Sequence, residues 1–164
     1  MELTNEETTA LYKIIKDYLE NKPTGEEIHF DYYDNYEEFA DNKTIKSILK
    51  KLIEKLSKKE KEEIDKDFLR KKYHPFNNEI DEKAYASIEK AFNQLRTIEI
   101  EYFNMESAEF RKRKIDIYYK SMKYIIGYCH LRKDIRKFRT SRIKSARLIN
   151  TKYKIPEDFD KNKY

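Results

Sequence analysis

The stretch KYIIGYCHLRKDIRKFRTSRI, residues 123–143, sets Arg132, Arg136, Arg139 and Arg142 behind an apolar, strand-like run, with Asp134 the only acid among them. A solvated charged face would mix signs. A guanidinium is a planar fork of donors that grips phosphate bidentately, so arginines converging from neighbouring strands and a turn would make a polyanion site. Arg142 and His130 could complete it. Strand period puts Tyr124, Ile126, Tyr128 and His130 on one face, and Lys123, Ile125, Gly127, Cys129 and Leu131 on the other. Arg136 and Phe138 point one way on the next strand, and Lys137 and Arg139 the other. Tyr124 and Tyr128 could stack on splayed bases, worth about 1–3 kcal/mol per base, a combination that suits a short single strand. Plainer readings stand beside these: the arginines as ordinary surface charge, Tyr128 and Phe138 as core, His130 as a satisfied structural histidine. Gly127 marks either a close approach of backbone or a bend.

Other chemistry finds little support. Cys129 and His130 are adjacent on a strand and face opposite ways, while His29 and His74 lack ligand spacing, so no metal is expected. Cys129 has no base paired with it by pattern and reads as a buried, inert thiol. There is no glycine-rich phosphate cradle and no carboxylate pair placed for acid–base work. Neither an enzyme nor a cofactor is expected.

Those residues belong to a chain whose charge is divided. Of 164 residues, 41% are charged and 38% apolar; 14 Tyr and 9 Phe are enough for a core. Residues 1–42 carry 12 acids and 3 bases, whereas residues 111–154 carry 16 bases and 2 acids. The basic region suits a polyanion, and the acidic one solvent, a partner, or the basic region itself. Met1 is followed by Glu2, Glu6 and Glu7 rather than by a basic start and an apolar run, and no window is long and apolar enough for a membrane span. With a lone cysteine, the expectation is a cytoplasmic protein without a membrane partner.

The elements that must position the arginines follow from periodicity. Thr4 to Glu7 is a capping box before Leu11, Ile14, Ile15, Tyr18 and Leu19 at helical spacing. Pro23 and Gly25 break that helix, and EEIHFDYYDNYEEF reads as a loop or weak strand. Ile45 to Leu56 makes a second helix. Ser57 to Glu60 caps a third, which carries Ile64 and Phe68. HPFNN at residues 74–78 is a boundary. Asp81 then caps a helix whose inward positions are Ala84, Ile88, Ala91, Phe92 and Leu95, after which the period switches to two. Strands are expected through residues 98–103, 115–119, 123–131, 135–140 and 143–149, with the segment from Pro156 frayed or the stub of something longer. The class is α+β: a helical linker or arm over residues 1–75, then a five-stranded Sm-like (SH3-like) small β-barrel capped by its leading helix over residues 76–164.

The 123–143 run, with EIEYF before it and IPEDF after it, resembles the WYL domain, whose pattern joins a Trp-Tyr-Leu-like triplet, a Gly-Tyr-Cys-like continuation, Arg-x-Phe-Arg and Arg-Ile. Here the triplet is Tyr124-Ile125-Ile126, and Ile117 stands where the family has proline. Arg113 matches a basic position of the family. The resemblance implies an Sm-like barrel that senses ligands, nucleic acid fragments foremost, in bacterial transcriptional regulators. It implies a non-catalytic domain, usually behind a winged helix-turn-helix and ahead of a further domain; neither is recognisable here. The helix pair from Ile45 to Phe68 alternates bases with acids, and reads as an arm or dimer contact rather than a DNA reader. The expected ligand is a single-stranded fragment or a phosphorylated small molecule, with DNA bound through a missing or separate helix-turn-helix, and the expected assembly is a homodimer. The alternative is a dimerisation or docking module without a ligand, an acidic arm packing on the basic barrel of a second copy. A small nuclease would rest on the basic surface alone.

Overall fold

The computed structural model describes residues 2–21, 41–74 and 76–164, so the expectation for residues 26–39 lies outside the described residues. Two compact units divide the chain, Met1–Asp65 and Lys66–Tyr164. The first contains α1 (Asn5–Asn21), α2 (Asn42–Lys55) and the start of α3 (Lys58–Lys72). Each start is set by a local cap. Thr4 and Glu7 bond reciprocally at 2.7 and 3.2 Å, Asp41 accepts from Thr44 N at 2.8 Å, and Ser57 N donates to Glu60 at 2.8 Å. Such side chains satisfy amides that the first turn leaves without partners. Among the described residues of this unit, Tyr12, Ile45, Leu52, Leu56 and Ile64 are the buried apolar ones.

The second unit begins in α3, beyond which the Tyr73 ring stacks on Phe103 at 4.8 Å and meets Phe110 edge-on at 5.3 Å. Asp81 caps α4 (Glu82–Asn93) by accepting from Ala84 N at 2.7 Å. Five strands follow: β1 (Arg96–Asn104), β2 (Glu109–Lys120), β3 (Tyr124–Cys129), β4 (Asp134–Arg139) and β5 (Ile143–Lys152). All pair antiparallel in the order β4-β3-β2-β1-β5. One face carries Ile98, Ile100, Ile115, Ile117, Ile125, Cys129 and Phe138, and packs on Ala84, Ile88 and Ala91 of α4. The two alanines bring helix and sheet close, and each buried isoleucine contributes about 1.5–3 kcal/mol. Leu95, expected to face inward, is exposed instead; at φ 49° it leaves the helix in a left-handed turn that carries its side chain off the packed face.

The expected barrel is not closed: among the described residues no ladder joins β4 to β5. The sheet nonetheless coils strongly. Tyr102 of β1 meets Phe138 of β4 edge-on at 5.2 Å and its hydroxyl accepts from Arg139 N at 3.3 Å, although three strand spacings in a flat sheet would hold β1 and β4 about 14 Å apart. Register shifts at Arg96/Ile98 and Glu101/Tyr102 against β5, and at Ile117/Tyr119 against β3, supply local bends. The 3-10 turn Thr140–Arg142 separates β4 from β5. Thr140 anchors it, its amide donating to Lys123 O at 3.0 Å and its hydroxyl to Met122 O.

Gly127 is required by proximity. It lies between Ile117 and Arg136, and a Cβ there would stand 2.2 Å from the Asp116 carbonyl oxygen.

Candidate functional site

The eight candidate residues occupy two faces of the coiled sheet and two turns. Arg113 lies on β2 with the parity of Ile115 and Ile117, hence on the core-side face, and only 8% of it is exposed. Arg136, opposite Gly127, shares the parity of buried Phe138; its Nε stands 3.8 Å from Asp134 Oδ2 in an exposed ion pair of the kind worth little. Arg142 sits in the 3-10 turn. Among the described residues, Arg113 Nε, Arg142 Nε and Ser107 Oγ are buried side-chain atoms without a hydrogen-bond partner.

Register relates two of these arginines through β1. Ile100 pairs with Arg113 on one side, and Tyr102, two residues along the same face, pairs on the other side with Ile143, the neighbour of Arg142. Arg113 and Arg142 therefore flank one short stretch of β1, where Tyr102 reaches Phe138.

Tyr124, Tyr128, His130 and Arg139 fall on the outer face. Arg139 pairs with Tyr124 across the β3–β4 ladder, and its Nη2 donates to Asn78 Oδ1 at 3.0 Å. His130 directly follows β3, with its ring edge-on to Tyr128 at 5.3 Å. Arg132 occupies the exposed β3–β4 turn, its amide bonded to Cys129 O at 3.0 Å. Cys129 is fully buried in the core cluster. Among the described residues, no group of three or more His, Cys, Asp or Glu side chains could hold a metal ion.

Pattern reading missed several outer-face residues. Asp116, buried on β2, lies 3.0 Å from His130 Nε2 and accepts from the Thr97 hydroxyl at 2.6 Å. The available signal was that Asp116 is the one acid of β2 beyond its first residue, Glu109. Lys137 lies over the Tyr124 ring at 4.3 Å. Residues beyond β5 also fold onto this face, against the expectation of a frayed end: Tyr153 donates its hydroxyl to Ile117 O, and Phe159 meets Tyr118 edge-on at 5.3 Å. Burial, seconded by the Asp116 charge, raises the hydroxyl pKa of both Tyr153 and Tyr118 above the ordinary tyrosine value.

The family model of the WYL domain matches residues 83–148, from the second residue of α4 into β5. This stretch is a WYL domain. A solved structure of proteasome accessory factor B/C (PafBC) of Arthrobacter aurescens aligns with 93% of the chain at 18% identity and a TM-score of 0.40; the chain spans 21% of that protein's length. No curated protein matches. Among the described residues of the chain that carries this WYL domain, no helix is long and apolar enough to cross a membrane.

Proposed function

We propose that the chain is a regulatory, non-catalytic module of a bacterial transcriptional regulator, whose WYL domain binds an anionic ligand, a short single-stranded nucleic acid fragment or a phosphorylated small molecule, through Arg113 and Arg142, with Arg136 and Arg132 at the rim. The observation that carries this reading is the pair of buried guanidinium nitrogens without a protein acceptor. A buried donor left unsatisfied costs about 1–3 kcal/mol, more when charged, so native structures seldom keep one without a reason. A phosphate would supply that reason, because its oxygens accept from both forks at once.

The test is a titration of fluorescent single-stranded oligonucleotides at several salt concentrations. Affinity should fall with salt, with a logarithmic slope of about −0.7 per phosphate contacted, and Arg113→Ala and Arg142→Ala should each weaken binding while the domain stays folded. Binding that ignores salt, or no binding, overturns the phosphate reading.

A second reading, a docking or dimerisation module, draws on the first unit. On α1, Leu11, Ile14 and Tyr18 are exposed at helical spacing, Ile14 to 64%, an arrangement that suits a partner helix. A dimer in sedimentation that Ile14→Glu dissociates, without oligonucleotide affinity, would favour it.

A further inference from the structure

The segment following β5 crosses the outer face of the sheet from one edge strand to the other. It leaves β5 through Tyr153, whose amide donates to Leu95 O at 3.0 Å and whose ring lies 6.0 Å from Tyr118. Phe159 then sits edge-on to Tyr118 at 5.3 Å and nearly parallel to Tyr164. The Lys161 ammonium stands 5.0 Å over the Tyr119 ring. At the far side, Lys137 of β4 donates to the main-chain oxygen of Tyr164 at 2.9 Å while lying over Tyr124. Tyr119 and Tyr124 are themselves 6.1 Å apart.

Without the segment, this face would present three tyrosine rings and a lysine, the pairing of stacking platform and cation with which proteins hold single strands. The occupant has matching chemistry. Phe159 is a flat ring flanked by Glu157, Asp158 and Asp160, so it offers an aromatic surface among anionic oxygens, as a nucleotide does.

We propose that Tyr118, Tyr119, Tyr124 and Lys137 form a second surface for single-stranded nucleic acid, and that residues 156–164 are its built-in competitor. It rests on nucleic acid being the ligand, as proposed above, but uses a different face from Arg113 and Arg142. Ligand and segment bind the outer face in mutual exclusion, so loosening the segment raises affinity without adding a contact.

The test measures binding of fluorescein-labelled short oligothymidylate to the full chain, to Phe159→Ala/Lys161→Ala, and to Lys161→Ala alone, each checked for native far-UV dichroism. The double variant should bind at least about fivefold tighter, as expected for freeing one stacking position. Lys161→Ala should show a smaller gain in the same direction, and adding Tyr124→Ala to the double variant should abolish the gain. Unchanged or weaker binding by the double variant overturns the proposal. If Arg142→Ala still lowers affinity in that case, the arginine site stands alone. A gain in the double variant that Arg142→Ala does not touch supports the outer surface and counts against the arginine site, and no binding by any form defeats both.

Discussion

Asp116 Oδ2 stands 3.0 Å from His130 Nε2, and Oδ1 of the same carboxylate accepts from the Thr97 hydroxyl at 2.6 Å. One buried acid thereby links β1, β2 and the end of β3 on the outer face. A carboxylate so placed is tolerable only while both oxygens are engaged. His130→Ala and Thr97→Val should each destabilise the domain by about 1–3 kcal/mol, and the double variant should depart from additivity because they share a partner. Urea unfolding of the four proteins measures the coupling; strict additivity would show that Asp116 does not unite them.

Gly127→Ala should cost about 1–3 kcal/mol, the range for forcing an extra carbon into a packed interior. The clash is with main chain, the Asp116 carbonyl at 2.2 Å, so a side-chain rotation cannot relieve it. Thermal unfolding followed by circular dichroism should show the lower midpoint; an unchanged one would mean that β2 and β3 separate at little cost.

Arg113→Met separates stability from binding. Methionine keeps the length of the stem and removes a charge that is over nine-tenths buried with an unpartnered Nε. Replacing buried ionic groups by apolar ones of similar volume is often neutral or stabilising by about 1–4 kcal/mol. The variant should therefore unfold at equal or higher denaturant concentration while losing anion affinity. A clear loss of stability would mark Arg113 as structural.

Acid should melt the first unit from its helix starts. Hydrogen bonds from Thr4 hold the Glu7 carboxyl below its ordinary 4.5, those from Ser57 and Asn5 do the same for Glu60, and those from Thr44 hold Asp41 below 3.8. A depressed folded pKa gives stability that is present above the ordinary value and lost as pH falls through the folded one. Helical dichroism should thus decline below pH 4.5, and Glu60→Gln should lose part of that decline. An identical acid transition in the variant would rule out a contribution from this cap.

At the alkaline end the sign reverses. Tyr153 has its hydroxyl pKa raised by burial first and the Asp116 charge second, from an ordinary 10.0. Its contribution is complete below pH 10 and is lost as pH rises toward the folded value, because the unfolded chain ionises first. Tyr153→Phe should remove this alkaline loss, at a cost near neutrality of about 1 kcal/mol for the bond to Ile117 O. Stability against pH by urea titration reads both, and an alkaline loss of the same size in the variant would acquit Tyr153.

The starts of three helices were legible at Thr4, Ser57 and Asp81 because a cap is a contact over three residues, and the five strands were legible because alternation is local. Grouping Tyr124, Tyr128 and His130 together, and Arg136 with Phe138, needed only the period of two within each strand, whereas setting the two groups on opposite faces needed the β3–β4 register. Closure was not legible. It depends on register shifts at Glu101/Tyr102 and Ile117/Tyr119, which no neighbouring residue type announces. The partners of Asp116 and the course of residues 156–164 lie across the fold from the residues they meet, so pattern alone left that segment frayed. Leu95 keeps the helical period although α4 ends two residues earlier, at Asn93.

The open sheet also bears on how copies of the chain behave when crowded. β4 and β5 are its two edges, and both carry cations, Arg136 and Lys137 on one and Lys144, Arg147 and Lys152 on the other. Bringing such borders together would set like charges against each other, a known deterrent to strand-by-strand polymerisation. The cationic side chains along both borders thus disfavour edge-to-edge pairing of copies.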